Sequence, residues 1–437
     1  MQSYAEIDLN ETPCIIPGCG HILTIETMDG MMGMSDFYDF LPDGKAVALK
    51  KKEIDLTQKV PTCPNCRGSL RDVNRYGKIV RQALLAESTK KFINWSNSEF
   101  VPLAQRLQGL QEKLSESGAD AMKRLANIEA ASVNLRDSIT HQIQVMHKAT
   151  LGSRYKEFAS AQVEISTYVR KVSREEQPFR RVWDIVQHKR RTEGTDVGGF
   201  EDNSGVLQTR QVMLASALLI RCHLAVVCDF LSRARINFEK SSVDFSAVRK
   251  ECEALFELAV SGTQPAVQAE ACVFFGRYCA AEQFFLTTAQ KKFIAAGTTQ
   301  VTQLNDLEAR IVSLKQAGLK KIEEAKVVCN NAPGSTAHIT KELQEVEGMI
   351  RNSTLHDVLR PEEMKAIYDA MSREFGGTGH WYRCVNGHLF TVGECGMPMQ
   401  LARCPQCNAQ IGGQRHEAAA GVTIAMDLET QMRNMRL

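Results

Sequence analysis

Two sets of closely spaced cysteines and histidines lie near opposite ends of this 437-residue chain, and they constrain its fold more than anything between them. Toward the C-terminus, Cys384-x3-His388 is followed by Cys404-x2-Cys407; toward the N-terminus, Cys19-x-His21 is followed by Cys63-x2-Cys66, with Cys14 as an extra candidate. Each set offers four sulfur and imidazole donors, the number and type that Zn²⁺ takes in tetrahedral structural sites. Asn386-Gly387 permits a sharp turn that brings Cys384 and His388 to one side, and Pro405 stiffens the second pair into a knuckle. Two small metal-organised modules are expected, with Zn²⁺ as the cofactor.

The sequence between them is helical in character. A pattern starting at Arg75 (Ile79, Val80, Ala83, Leu84) is expected to end near Trp95. Leu103, Leu107, Leu110 and Leu114, then Met122, Leu125, Ile128, Leu135, Ile139, Ile143 and Met146, recur at steps of three and four, an amphipathic stripe with Gly118 as its break. Pro178 interrupts the continuation, and residues 191–206, rich in Gly, Asp and Thr, read as a linker. Three or four long helices then follow between Val206 and Asn331, bounded by Ser241-Ser242, Gly262 to Pro265 and Gly297 to Thr299, without the fixed period of a named repeat, and Pro333-Gly334 and Gly376 to Gly379 separate two shorter helices from the C-terminal module. The expected fold is mainly α, a bundle or repeat-like helical region between two zinc modules. Its segments are 1–95 (zinc module plus helix), 96–190 (long amphipathic helices of coiled-coil character), 191–206 (linker), 207–378 (bundle), 379–420 (C-terminal zinc module) and 421–437 (helical tail).

Of fourteen cysteines, the six outside the end clusters (Cys222, Cys228, Cys252, Cys272, Cys279, Cys329) sit among apolar residues at helical spacing, where a free thiol behaves as a small buried hydrophobe. That usage implies a reducing compartment, cytoplasm or nucleus, rather than a disulfide framework. No signal-like run opens the chain. The longest apolar stretch, Val212 to Leu231, is interrupted by Arg221, His223 and Asp229, so a buried helix and no membrane span are expected. With 53 basic against 51 acidic residues, any attraction to nucleic acid must be local. The local candidate is Arg170 to Arg191, where Arg170, Lys171, Arg174, Arg180, Arg181, Lys189, Arg190 and Arg191 alternate with Phe179 and Trp183. It reads either as an RNA contact or as a solvated helix face diluted by Glu175, Glu176 and Asp184.

The words His380-Trp381-Tyr382-x-Cys384-x-Asn386-Gly387-His388, Gly393-Glu394-Cys395-Gly396, Cys404-Pro405-x-Cys407 and Ile411-Gly412-Gly413 resemble the RZ-type zinc finger of mysterin-type ubiquitin ligases and NFX-type zinc-finger helicases. The resemblance implies zinc on Cys384, His388, Cys404 and Cys407. It further implies ubiquitin transfer through a cysteine thioester, with Cys395 as nucleophile and His416 placed to assist it. The residues themselves leave two readings of Cys395. It is not needed to complete four-coordination, so it is either a free thiol that an imidazole such as His416 or His380 could activate, or a spare ligand or packed thiol.

At the other end, Cys63-Pro64-Asn65-Cys66-Arg67-Gly68-x-Leu70 resembles the C-terminal half of a RING-type finger, with Cys19, His21, Cys63 and Cys66 matching the second site of its cross-brace. Too few ligands precede residue 70 for the first site. The RING resemblance implies that Arg67 contacts a ubiquitin-charged E2 and its ubiquitin; the alternative is a solvated arginine. The order of RING-like segment, helices and RZ finger is that of the C-terminal portion of the NFX-type helicase family, and the chain carries no Gly-x4-Gly-Lys-Ser/Thr phosphate loop. An E3 ubiquitin transferase is therefore expected. The alternatives are a non-catalytic zinc-finger scaffold, an RNA-binding module, and self-association through the long helices.

Overall fold

A computed structural model of the chain describes residues 8–42, 45–50, 57–117, 130–150, 154–194, 206–296, 301–355, 381–392, 400–404, 409–414 and 417–425. Two compact units emerge, Met1–Phe100 with Arg170–Gln211 and Val101–Val169 with Val212–Leu437.

In the first unit, β1 (Cys14–Ile15) pairs antiparallel with β2 (Leu23–Thr24). The Thr24 side chain then accepts the Thr27 amide and caps α1 (Ile25–Met32). Gly33, at φ 60°, ends that helix in the left-handed region and leads into the single turn α2 (Met34–Phe37) and a hairpin of β3 (Tyr38–Phe40) and β4 (Ala46–Leu49). Met28, Met32, Met34, Phe37, Leu70, Tyr76 and Ile79 are buried together with Cys63. Each apolar side chain so buried contributes about 2 kcal/mol. A polar clamp supplements this small core: Asp29 accepts hydrogen bonds from Arg75 Nε (2.7 Å) and Tyr76 Oη (2.8 Å). It ties α1 to the 3-10 turn Asn74–Tyr76 that precedes α3 (Gly77–Glu116).

The helix expected to end near Trp95 does not end there. α3 runs unbroken for 40 residues with Pro102 inside it. Proline removes one amide from the ladder, but the sequence on both sides consists largely of good helix formers, so continuity wins. Leu135 departs from the helical stripe as well. It lies on β5 (Asn134–Leu135), which pairs in parallel with β6 (Ser242–Val243) and buries Leu135 completely. The stripe's Met122, Leu125 and Ile128, with Gly118, lie outside the described residues. Ile139, Ile143 and Met146 do occupy one buried face, on α4 (Ile139–Ala149). α5 (Lys156–Arg170) follows, then the π-helical turn Lys171–Glu175 and α6 (Pro178–Thr192), with Pro178 at the start of a helix, where its missing amide costs nothing.

The later helices are α7 (Val206–Arg233), whose residues from Val212 onward belong to the second unit, and α8 (Ser246–Ser261), α9 (Pro265–Ala295), α10 (Val301–Asn331) and α11 (Pro333–Asn352) of that unit. Among the described residues α7 alone is long and apolar enough to cross a membrane, and its apolar window is 67% buried within the protein. Of the polar interruptions of that window, Arg221 is exposed and pairs with Glu270, while the other two are accommodated inside. Asp229 accepts from Arg154 Nε (2.6 Å) and Tyr155 Oη (2.7 Å), and the fully buried His223 meets Tyr278 Oη through Nδ1 (2.7 Å). α9, α10 and α11 share a core of Cys272, Val273, Ile322, Leu343, Val346 and Ile350. Gly276 and Gly318 let these helices approach. A Cβ at Gly276 would stand 2.8 Å from Val346 Cγ1, and one at Gly318 2.9 Å from Ile350 Cδ1. Glu282, nearly inaccessible, is satisfied by the Phe245 amide (3.0 Å), Arg249 (2.6 Å) and Arg310 (2.7 Å). All six mid-chain cysteines lie on these helices, five of them buried.

The C-terminal module is made of short strands: β7 (Trp381–Arg383) between β8 (Leu389–Thr391) and β12 (Thr423–Ile424), and β10 (Gln410–Gln414) between β9 (Leu401–Arg403) and β11 (Glu417–Ala418). The helical tail expected from Val422 therefore does not begin there. Thr423 and Ile424 pair with Arg383 and Tyr382, because β7 offers an open edge and Val422 fills the module's core. Residues 426–437 and the boundary glycines 376–379 lie outside the described residues.

Candidate metal centres

The C-terminal centre grows from the turn between β7 and β8. The Cys384 amide donates to the His388 carbonyl (2.9 Å) and the Gly387 amide to the Cys384 carbonyl (2.8 Å). Gly387 adopts φ 82°, the left-handed conformation that the turn requires. The turn places His388 Nδ1 3.5 Å from Cys384 Sγ and 3.8 Å from Cys404 Sγ. Ordinary Zn–S and Zn–N bonds at tetrahedral angles give an S···N edge of about 3.6 Å, so the three donors stand where zinc would hold them. The His388 amide also donates to Cys384 Sγ (3.3 Å), which stabilises a thiolate. Burial works against a charged imidazole at His388, yet the Cys384 and Cys404 sulfurs raise its pKa to about 9. Clustered thiolates draw a positive charge into the site, and a dication answers that demand better than a proton.

The second half is aligned by β9 and β10. Gly412, at φ 79°, could carry no side chain, since a Cβ would fall 2.1 Å from the Gln400 carbonyl oxygen. The Cys404 amide donates to the Ala409 carbonyl (2.8 Å). Tyr382, Ile411 and Val422 pack around the buried sulfurs, with Phe390 stacked on Tyr382 at 5.9 Å. Trp381 and Tyr382 are buried, the filling that so small a core needs. Cys407, Cys395, His416 and His380 lie outside the described residues.

At the N-terminal centre the ligand atoms of Cys19, His21, Cys63 and Cys66 all lie within 4.8 Å of one another. His21 Nδ1 is 3.5 Å from Cys19 Sγ, again close to a tetrahedral edge. The knuckle is closed by the Cys63 amide donating to the Gly68 carbonyl (2.9 Å) and the Arg67 amide to the Cys63 carbonyl (2.8 Å). Amides of Cys66 and Asn65 hold the Cys63 thiol below its ordinary range, burial opposing them. At Cys66 the Gly68 amide favours the thiolate, but burial and the Cys19 and Cys63 sulfurs push the thiol up. Gly68 leaves room for the ligands, since a Cβ would lie a tight 3.2 Å from both Cys19 Cβ and Cys66 Sγ. Cys14 stays outside this set, its thiol donating to the Thr12 carbonyl (3.5 Å). Arg67 is exposed and takes φ 60°, a left-handed conformation that costs a non-glycine residue about 1 kcal/mol.

Sequence reasoning missed the Asp29–Arg75–Tyr76 clamp, in which Asp29 lies more than forty positions from its two partners and carries no local signal. It also missed the need for Gly68 and Gly412, although a glycine two residues after a knuckle was legible as a hint. In the basic run, Arg170, Arg180, Arg181 and Lys189 pair with Glu175, Asp184, Glu176 and Glu193. The Arg180 guanidinium covers the half-buried Trp183 ring at 4.4 Å. The Phe179 side chain lies outside the described residues.

Residues 371–424 match the family model described as the RZ type zinc finger domain. Human NFX1-type zinc finger-containing protein 1 is 21% identical over 419 residues, which cover 94% of this chain and 16% of that protein. Human E3 ubiquitin-protein ligase RNF213 is 48% identical over 48 residues, 11% of this chain and 1% of that one. The zebrafish (Danio rerio) E3 ubiquitin-protein ligase rnf213-beta is 46% identical over 44 residues, 10% and 1%. The chain thus spans well under a fifth of the length of these curated relatives. No solved structure matches it. The chain carries an RZ-type zinc finger, is homologous to the human NFX1-type protein along most of its own length, and holds two Cys/His donor sets whose chemistry fits Zn²⁺.

Proposed function

We propose that this chain, with its RZ-type zinc finger, is an E3 ubiquitin transferase that works through a thioester on Cys395. The observation that carries the reading is that the finger, residues 371–424, includes Cys395 and His416 and is shared with proteins named as E3 ubiquitin-protein ligases. Geometry supports the metal half of it, because Cys384, His388 and Cys404 converge on one point; by sequence spacing Cys407 is the fourth donor, and Cys395 is then not needed to complete four-coordination. Zinc, when bound, supplies the structural cross-link and shares the thiolate charge; the chain's own residues do the rest.

In the proposed cycle the Cys395 thiolate attacks the thioester carbonyl of a ubiquitin-charged E2. A new C–S bond forms, the bond to the E2 sulfur breaks, and the E2 thiolate leaves. An acceptor amine or hydroxyl then attacks the Cys395 thioester and releases the Cys395 thiolate. His416 holds the proton removed from the Cys395 thiol. Arg67 is assigned to E2 and ubiquitin contact at the N-terminal module. Its exposure on the knuckle and its left-handed backbone support this, since backbone strain held by a non-glycine residue clusters at functional positions.

The test is a non-reducing gel of the chain incubated with E1, ATP, ubiquitin and a cysteine-reactive E2. A thiol-sensitive ubiquitin adduct is expected on the wild type and on no Cys395→Ser sample, with zinc content unchanged by that substitution. An adduct that persists in Cys395→Ser, or none at full zinc occupancy, overturns the reading. The second reading is RNA binding by the run Arg170–Arg191, favoured by Lys171, Arg174 and Arg191, which have no carboxylate partner among the described residues. It requires a salt-dependent affinity for single-stranded RNA that falls when these three are replaced by alanine.

A further inference from the structure

The two metal centres differ in how they are shielded. At the C-terminal centre the described sulfurs are sealed, Cys384 3% and Cys404 1% accessible, under Tyr382, Ile411 and Val422. At the N-terminal centre Cys63 is buried, but Cys19 and Cys66 are both exposed. Gly68 lies beside both of these residues, where a Cβ would come within 3.2 Å of each, and has no side chain to cover them.

We infer that the N-terminal centre is a peroxide-sensitive zinc site, whose metal is released by oxidation of Cys19 and Cys66 while the C-terminal finger keeps its own. The inference rests on both Cys/His sets binding zinc. Zinc-bound sulfur remains nucleophilic, and its rate of oxidation follows access. The step balances with hydrogen peroxide as the oxidant. One exposed thiolate attacks a peroxide oxygen, the O–O bond breaks, and hydroxide leaves, giving a sulfenic acid whose oxygen keeps its hydrogen. The second thiolate attacks that sulfur, forming the S–S bond and expelling a second hydroxide, so two thiolates lose two electrons and the peroxide becomes two hydroxides, which two protons from the solvent convert to water. The four ligand atoms lie within 4.8 Å, so the partner sulfur is already at hand. Only Cys63 and His21 then remain as donors, too few to retain the ion. The knuckle that holds Arg67 in its left-handed conformation is built on this centre, so its oxidation withdraws Arg67 while leaving the C-terminal finger folded.

The experiment uses the full chain. Zinc content by elemental analysis comes first. Hydrogen peroxide is then added with a chromogenic zinc chelator present, and cysteines are mapped by differential alkylation and mass spectrometry. Two zinc ions per chain are expected, one released roughly tenfold faster than the other, with Cys19 and Cys66 oxidised before Cys384 and Cys404. Cys66→His, which keeps a zinc ligand but removes an oxidisable sulfur, is expected to retain both ions and to slow the fast release. Fewer than two ions at the outset overturns the zinc reading itself. Two ions released together, or Cys384 and Cys404 oxidised first, overturns the inference and leaves that reading intact.

Discussion

The α9–α11 bundle and the C-terminal finger are both ordered, by different means. The bundle draws its stability from a continuous apolar interior in which two glycines allow close helix approach and a buried glutamate is fully satisfied. The finger has strands of two to five residues and a core of a few side chains, two of them the metal ligands Cys384 and Cys404. A segment this small buries too little apolar area to offset the entropy of ordering its backbone, so ligand–metal bonds must supply the balance. Metal dependence should therefore be local to the ends of the molecule and packing dependence local to its helices.

The sharpest way to break that contrast is to remove the metal. Excess chelator, or Cys384→Ser for the C-terminal centre alone, should forfeit on the order of 10 kcal/mol of metal-linked folding energy and open the finger to proteolysis. Far-UV circular dichroism of the helices should barely change, and helices that melt with the zinc would break the contrast outright. The reciprocal substitution, Leu343→Ala, truncates a side chain that is 2% accessible in the bundle core. It should cost about 2–5 kcal/mol in chemical denaturation without lowering zinc content.

Acid sharpens the comparison further. His223 is fully buried, and desolvation lowers its pKa from 6.5 to about 3. In the unfolded chain the ring takes up a proton below pH 6.5, whereas in the folded chain it stays neutral down to about pH 3, so the unfolded state binds more protons and stability falls as pH falls through this window. At pH 5 the loss is about 2 kcal/mol relative to pH 7. His223→Gln should flatten that slope in denaturation curves taken at the two pH values. The smallest expected effect is at Arg67. Arg67→Gly relieves a left-handed backbone and should slow hydrogen exchange in the N-terminal knuckle, a gain of about 1 kcal/mol, while reducing ubiquitin discharge from the E2. Unchanged discharge would reduce Arg67 to a solvated side chain.

Much of this was legible in advance, for a common reason. Helix boundaries at Pro265 and Pro333, the small metal modules at the two ends, and the burial of cysteines such as Cys272 and Cys279 follow from local rules of backbone freedom and side-chain polarity. Where the reading failed, tertiary contact overrode local pattern. Leu135 fits a helical period but is captured by Val243 on a neighbouring strand, and Thr423 joins the finger because β7 had an unfilled edge.

By itself the sequence determined which residues could bind metal and that helices lie between them, because donor type and spacing, apolar period, and proline placement act over a few residues at a time. Only the tertiary structure decided that His21 and His388 both turn Nδ1 toward a sulfur, that Cys14 stands apart from its centre, and that Cys19 and Cys66 are open while Cys384 and Cys404 are closed. Those outcomes depend on strand pairing and on which apolar side chains arrive from distant positions, and neither is encoded in the spacing of the ligands.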